Sequence, residues 1–245
     1  MVNQLESQTN SEIDYPDSDG QPMADNTIQF RWITVIYYNL AWLFAENPDV
    51  FVAGDLLWYP VEGNNKLRQA PDVMVVFGVE KGDRGSYQQW KEKNIPPQVV
   101  LEILSPGNTF KEMSRKLLFY DRYGVEEYYL YDPDKNQLTG WLRSEPWLEV
   151  IEEINGWVSP RLQIRFELTE STLLLYRPNG QLFADYVEVQ QQLDTVTEEL
   201  QQEREAKVIA EEQLQVAEEQ LQQERQRNQR LEQLLREAGI DPNQR

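Results

Sequence analysis

Apolar side chains recur at helical spacing at Ile28, Trp32, Val35, Ile36, Leu40 and Leu43, which predicts a first helix over 27–46. Asp25 or Asn26 can cap it, and Asn47-Pro48 ends it. The pattern then shifts to short runs with strand character: Val50–Tyr59, Asp72–Phe77 (DVMVVF) and Gln98–Leu104 (QVVLEIL). The last two are apolar almost throughout, as expected of strands covered on both faces of a sheet. A polar loop, 78–97, joins them. After a break at Ser105-Pro106-Gly107-Asn108, Thr109 and Glu112 fit a capping box, and a second helix should run to about Tyr123 and stop at Gly124. Glu127–Tyr131 and Gln137–Arg143 flank a turn at 132–136, and further short strands are expected near Leu148–Ile154, Leu162–Glu167 and Leu173–Tyr176. This order predicts an α/β fold with a mixed sheet flanked by helices.

From about Asp185 the period changes to seven. With Leu193 at position a, the same column holds Leu200, Lys207, Leu214, Leu221, Asn228 and Leu235, and position d holds Val196, Glu203, Ala210, Ala217, Glu224 and Leu231. AEEQLQ occurs at 210–215 and again at 217–222. A sustained seven-residue repeat predicts a C-terminal coiled-coil helix, 185–238, that pairs into a homodimer. The seam is interrupted by Lys207, Glu203, Glu224 and Asn228, so it is weak. The bland alternative is a lone helix solvated by its charges. Residues 1–26 carry six acids and no base and read as a disordered tail, and 239–245 as a short C-terminal tail. The organisation expected is therefore tail, an α/β domain over 27–184, and coiled coil.

Composition sharpens this division. Every aromatic residue lies before position 187, so the α/β part alone has the material for a core. The net charge is −19, shared between residues 1–184 at −11 and 185–245 at −8. Neither part has the basic excess of a protein that coats a duplex. The chain has no Cys and no His, which excludes disulfides, thiol nucleophiles, zinc sites of the usual kind and His-based acid–base machinery. A metal would be held by oxygen ligands, which favours Mg²⁺ or Mn²⁺. No apolar run reaches the roughly 18–20 residues of a membrane span, and the N-terminal stretch has no secretory pattern, so the cytoplasm is the expected location.

The chemistry that remains lies in acids on apolar strands. Asp72 opens DVMVVF after Pro71, and Glu102 sits inside VVLEIL. A lone carboxylate in an apolar strand costs several kcal/mol unless it is paired or binds a metal. Two such acids on separate strands suggest one shared site. There they could hold a divalent cation against a scissile phosphate, with an ammonium nearby to steady developing negative charge. The plain structural reading is that Asp72, after Pro71, caps a strand or turn and that Glu102 pairs with Arg115 or Lys116. Glu112 then serves as a cap, and Tyr120 as core.

Pro71-Asp72 followed by Glu102-Ile103-Leu104 resembles the PD-(D/E)XK nuclease motif. VVLEILSPGNT, followed by KLLFYDRYGVEEYYLYDP, resembles the Uma-type restriction endonuclease family of bacteria over about residues 27–180. The resemblance implies a restriction-endonuclease-like fold and hydrolysis of phosphodiester bonds, with DNA as the substrate partner. It also implies Asp72 and Glu102 as ligands of Mg²⁺ or Mn²⁺ and a catalytic lysine. The lysine position of the motif is Leu104 here, and Lys116, on the following helix, is the substitute. Glu112, Lys116 and Tyr120 are spaced by four and share a helix face. Glu46, near the end of the first helix, is an accessory acid by the same resemblance. The alternatives are an inactive nuclease fold kept as an interaction module and a coiled-coil adaptor with an unrelated head.

Overall fold

The computed structural model describes residues 13–18, 20 and 22–239. The chain forms two compact units, 1–185 and 186–245. In the first, helix α1 (Thr27–Leu43) starts where Asn26 accepts the backbone N–H of Gln29 at 2.8 Å. It ends three residues earlier than expected, because 44–46 leave the helix as a turn before Asn47-Pro48. Strands β1 (Val50–Gly54), β3 (Val73–Phe77), β5 (Val99–Ile103), β6 (Glu127–Asp132), β7 (Gln137–Ser144) and β8 (Trp147–Val150) form a six-stranded sheet in the order β1-β3-β5-β6-β7-β8. Within this sheet β5 and β6 are the one parallel pair, and helix α2 (Phe110–Arg122) is the crossover that such a pair requires. The fold is thus a mixed-sheet α/β fold, as the order of elements predicted.

The sheet is covered on both faces, which accounts for the unbroken apolar runs. Val73, Val75, Val99, Leu101, Ile103, Tyr129 and Tyr131 point to one face, where α1 packs through Ile33, Ile36 and Leu40. The hairpin of β9 (Arg165–Leu168) and β10 (Leu173–Tyr176) covers the same face. Met74, Val76, Val100 and Tyr128 point the other way, into a cluster with Trp58, Tyr87, Tyr120 and Val125. The positions that continue this second face past the last residues of the cluster are Asp72 and Glu102. The register Val73↔Leu101 makes them neighbours on adjacent strands.

Several short elements differ from expectation. The run 50–59 is two strands, β1 and β2 (Trp58–Tyr59), because Asp55 takes a left-handed conformation at φ 48° and donates its N–H to Pro71 O at 3.1 Å. Asp tolerates that conformation better than most residues. The loop 78–97 contains β4 (Tyr87–Gln88), parallel to β2, and a short 3-10 turn. Of the expected disordered tail, 1–12, 19 and 21 lie outside the described residues, but 13–18 have definite contacts. Tyr15 packs its ring on Tyr59 at 5.2 Å and Trp90 at 4.9 Å, and Pro16 O accepts the Tyr59 hydroxyl at 2.7 Å. Aromatic burial outweighs the acidic composition there. In the second unit, α3 (Tyr186–Glu237) is one uninterrupted helix of 52 residues with none buried.

Candidate active site

The second face of the sheet ends in polar groups where β3 begins and β5 finishes. Asp72 and Glu102 are 8% and 2% exposed. Asp72 Oδ2 accepts the backbone N–H of Ile103 at 2.6 Å, so this carboxylate closes the sheet where the β3–β5 ladder runs out. Each oxygen of Glu102 has its own donor. Lys116 Nζ donates to Oε2 at 2.7 Å, and the Tyr120 hydroxyl donates to Oε1. Lys116 and Tyr120 reach Glu102 together because they are one helical turn apart on the face that α2 lays on the sheet. Helix α2 is held in that pose by its ends. Thr109 Oγ1 accepts the Glu112 N–H at 3.2 Å, and Gly124, at φ 89°, lets the chain turn sharply into β6.

The reciprocal half of the capping box is absent. The Glu112 carboxylate instead accepts from Asn108 Nδ2 at 3.2 Å. Asn108 Oδ1 in turn accepts the Ser105 N–H at 2.8 Å, and Ser105 Oγ bonds to Asp25. This chain of contacts fixes the loop between β5 and α2. Gln29, in the first turn of α1, adds a bond from Nε2 to Ile103 O at 2.9 Å.

Electrostatics follow from burial around one cation. Desolvation pushes the Asp72 carboxyl well above the usual aspartate range, and the neighbouring Glu102 charge pushes it further. Lys116 and the Ile103 N–H pull it back in part. For Lys116, burial acts to lower the pKa, but Glu102 and Asp72 together outweigh it and the ammonium is held above its ordinary value. Burial and then Glu102 raise the phenols of Tyr120 and Tyr128 well above 10.0, so both are neutral. The site is a buried acid pair with one lysine held in its charged form and two phenol groups.

Asp72, Glu102, Lys116 and Tyr120 therefore converge, and Glu112 lies one turn before Lys116 and acts on it electrostatically. Glu46 does not join them. The register Val50↔Phe77 to Gly54↔Val73 puts the two ends of β3 about 13 Å apart, at about 3.3 Å per residue. The chain just before Glu46 sits at the far end, where Phe44 packs on Phe77 at 5.4 Å. Glu46 is exposed there, so an accessory role at this acid pair does not fit its position.

Two residues at the site escaped the sequence reading. Asp55 lies beside Asp72, donates its N–H to Pro71 O and Asp72 O, and adds to the upward pressure on the Asp72 carboxyl. The only signal was an acid directly after Gly54, which reads as a turn. Tyr128 contributes a buried hydroxyl with no hydrogen-bond partner among the described residues. A tyrosine in an apolar strand reads as core, and only the register Val100↔Tyr128 puts it on the Glu102 face. An unpaired buried hydroxyl costs about 1–3 kcal/mol.

The donor set fits a hard divalent cation. Asp72 and Glu102 offer carboxylate oxygens from adjacent strands, and no imidazole or thiolate exists in the chain to favour a softer metal. Among the described residues no three acidic side chains are grouped to hold a metal. The remaining positions on a cation at Asp72 and Glu102 would thus fall to water, as Mg²⁺ commonly accepts. Also among the described residues, no helix is long and apolar enough to cross a membrane.

Comparison with known proteins adds an independent finding. A family model described as "Uma2: Putative restriction endonuclease" matches residues 2–209. A crystal structure of "a putative nuclease belonging to DUF820" from Anabaena variabilis is similar at 16% identity and a TM-score of 0.42, covering 55% of this chain and 72% of that one. No functionally curated protein matches the chain.

Proposed function

From the premise that the chain belongs to the Uma2 family, we propose that it is a metal-dependent nuclease that hydrolyses phosphodiester bonds in DNA at the Asp72–Glu102–Lys116 cluster. The observation that carries this reading is Lys116, whose ammonium sits 2.7 Å from Glu102 and interacts with Asp72. In the PD-(D/E)XK pattern the lysine comes from the strand. Here Leu104 occupies that position, and the helix that follows supplies the same charge to the same acid. In this reading Asp72 and Glu102 hold Mg²⁺ or Mn²⁺. When bound, the cation polarises a phosphoryl oxygen and lowers the pKa of a bound water. Lys116 moves from Glu102 towards the phosphate or the attacking water and steadies the charge that builds there. Tyr120 keeps Glu102 oriented while Lys116 moves.

A polyanion as substrate is supported by the other side of α2. Lys111, Arg115, Leu118 and Arg122 recur at i, i+4, i+7 and i+11 and are all exposed. None of the three cations among them takes part in an ion pair among the described residues. In a chain of net charge −19 this face offers phosphate contacts along the helix that carries Lys116. The a and d columns of α3 support pairing of two chains, since Leu193, Leu200, Leu214 and Leu221 are 46–60% exposed in the single helix.

One observation favours a second reading. Both oxygens of Glu102 are already satisfied within the protein, as they would be in a nuclease fold kept only as an interaction module. The experiment that separates the two is cleavage of single- and double-stranded DNA by the purified chain with Mg²⁺ or Mn²⁺, alongside Glu102→Ala and Lys116→Ala. Metal-dependent cleavage abolished by Glu102→Ala, and reduced by about 10²–10³ in Lys116→Ala, is expected. Cleavage equal in all three proteins, or none in any with no heat of Mn²⁺ binding to the wild type, refutes the nuclease reading.

A further inference from the structure

Tyr128 combines three properties that rarely occur together. The residue is fully buried, its hydroxyl has no partner among the described residues, and it lies on the sheet face of Glu102, two register pairs away. Its ring is fixed by Tyr120 at 5.1 Å and by stacking on Trp141 at 4.9 Å, so it cannot swing out to find water. The contrast with Tyr120 is direct. That hydroxyl is also fully buried, but it is bound to Glu102. A phenylalanine at 128 would fill the same ring position and avoid an unpaired polar atom. Packing alone therefore does not explain why the position carries a hydroxyl. The two carboxylates that bear on Tyr128, Glu102 and Asp72, are the pair argued above to hold a cation. A neutral phenol in that position is a hydrogen-bond donor on the Glu102 side of the sheet with no acceptor among the described residues.

Resting on the nuclease reading, we propose that Tyr128 is a ligand-facing residue whose hydroxyl donates to an acceptor oxygen of a group bound at the Asp72–Glu102 pair. The oxygen belongs either to water in the shell of a divalent cation or to a phosphate of the nucleic acid. Tyr128 would then fix that oxygen from the sheet side while Lys116 approaches it from the helix side. The unpaired hydroxyl of the free protein is the expected signature of a site built for a group that comes and goes.

The test uses the full chain and Tyr128→Phe. Without metal, the thermal midpoint of the variant, read by tryptophan fluorescence, should equal that of the wild type or exceed it by up to about 4 °C, because a buried unpaired group has been removed. Tyr120→Phe, which deletes a satisfied bond, should lower the midpoint and serves as the control. With Mn²⁺ alone, Tyr128→Phe should bind about tenfold more weakly by calorimetry if the acceptor is water on the cation. If Mn²⁺ binding is unchanged but anisotropy shows a similar loss for a short oligonucleotide in Ca²⁺, the acceptor is a phosphate oxygen. Wild-type affinity of Tyr128→Phe in both arms overturns the proposal, as does a metal-free midpoint that falls as far as that of Tyr120→Phe. A wild-type protein that binds neither Mn²⁺ nor oligonucleotide overturns the nuclease reading together with this one, so the two failures are distinguishable.

Discussion

Replacing Lys116 by Met keeps most of the apolar stem and removes the ammonium, which isolates the electrostatic part of the cluster. In the wild type the Lys116 side chain, 12% exposed, meets a Glu102 side chain that is 2% exposed, with buried Asp72 beside it. Without Lys116, Glu102 keeps only the Tyr120 hydroxyl and faces a second acid. Removing one partner of a buried ion pair costs about 3–5 kcal/mol, because the other charge stays behind without compensation. The escape is for the acid pair to take up a proton. Measured from the unfolded chain, where a free carboxylate titrates near about 4.3, placing one proton on the pair costs about 5 kcal/mol at pH 8 but only about 1 kcal/mol at pH 5, at 1.36 kcal/mol per pH unit. Protonation therefore offers no relief at pH 8 and caps the loss at about 1–2 kcal/mol at pH 5. For a unit of this size, 1 kcal/mol corresponds to about 2–4 °C, so Lys116→Met should lower the midpoint by roughly 6–20 °C at pH 8 and by a few degrees at pH 5. Tryptophan fluorescence is the assay of choice, because all seven Trp lie before residue 187 and α3 contributes no signal. Glu102→Gln in the Lys116→Met background should recover most of the loss at pH 8. A loss of equal size at the two pH values, or a double variant as unstable as the single, would refute the account of Lys116 as the counter-charge of a buried acid pair.

Three further outcomes are expected. Because the folded Asp72 carboxyl is raised above its unfolded value near 3.9, the folded state binds more protons in the window above about pH 4. The contribution of this group to stability therefore falls as pH rises through the raised value. Asp72→Asn, which keeps an oxygen for the Ile103 N–H, should melt higher than wild type at neutral pH and lose that advantage by about pH 3, where both states are protonated; an advantage that persists in acid would contradict this. Glu127, 1% exposed, accepts from the Tyr129 hydroxyl at 2.9 Å, from Arg161 N at 2.6 Å and from Ser159 Oγ. Glu127→Ala should cost about 2–4 kcal/mol in urea unfolding, yet leave Mn²⁺ affinity of the folded fraction unchanged, because Glu127 starts β6 at the end of the sheet away from Asp72. Light scattering at about 50 μM should give a dimer for the full chain and a monomer for a truncation at Asp185; two monomers would leave the seam of α3 to another partner.

How much of this was legible in the sequence follows from the range of the forces involved. Period and punctuation are local, so the strands at 73–77 and 99–103 and the second helix with its Thr109 start and Gly124 stop were all readable from neighbours in the chain. The same holds for the long C-terminal helix. The two acids were legible because a charge in an apolar run is a local contradiction, and Lys116 because helical spacing sets it beside Tyr120. Residues 13–18 were misread because composition weighs charge and cannot see that Tyr15 has Tyr59 and Trp90 to pack on. Glu46 was placed at the site by likeness, whereas the antiparallel register of β1 on β3 and the packing of Phe44 on Phe77 put that end of α1 at the other end of β3. Tyr128 was invisible for the complementary reason. Its neighbours Tyr129 and Tyr131 face the other side of the sheet, in the core against α1 and the β9–β10 hairpin, and nothing in the string YYLY distinguishes them. Which side chain meets Glu102 depends on the pairing of β5 with β6 and on α2 crossing above them. Those contacts join residues far apart in the chain, and only the tertiary structure decides them.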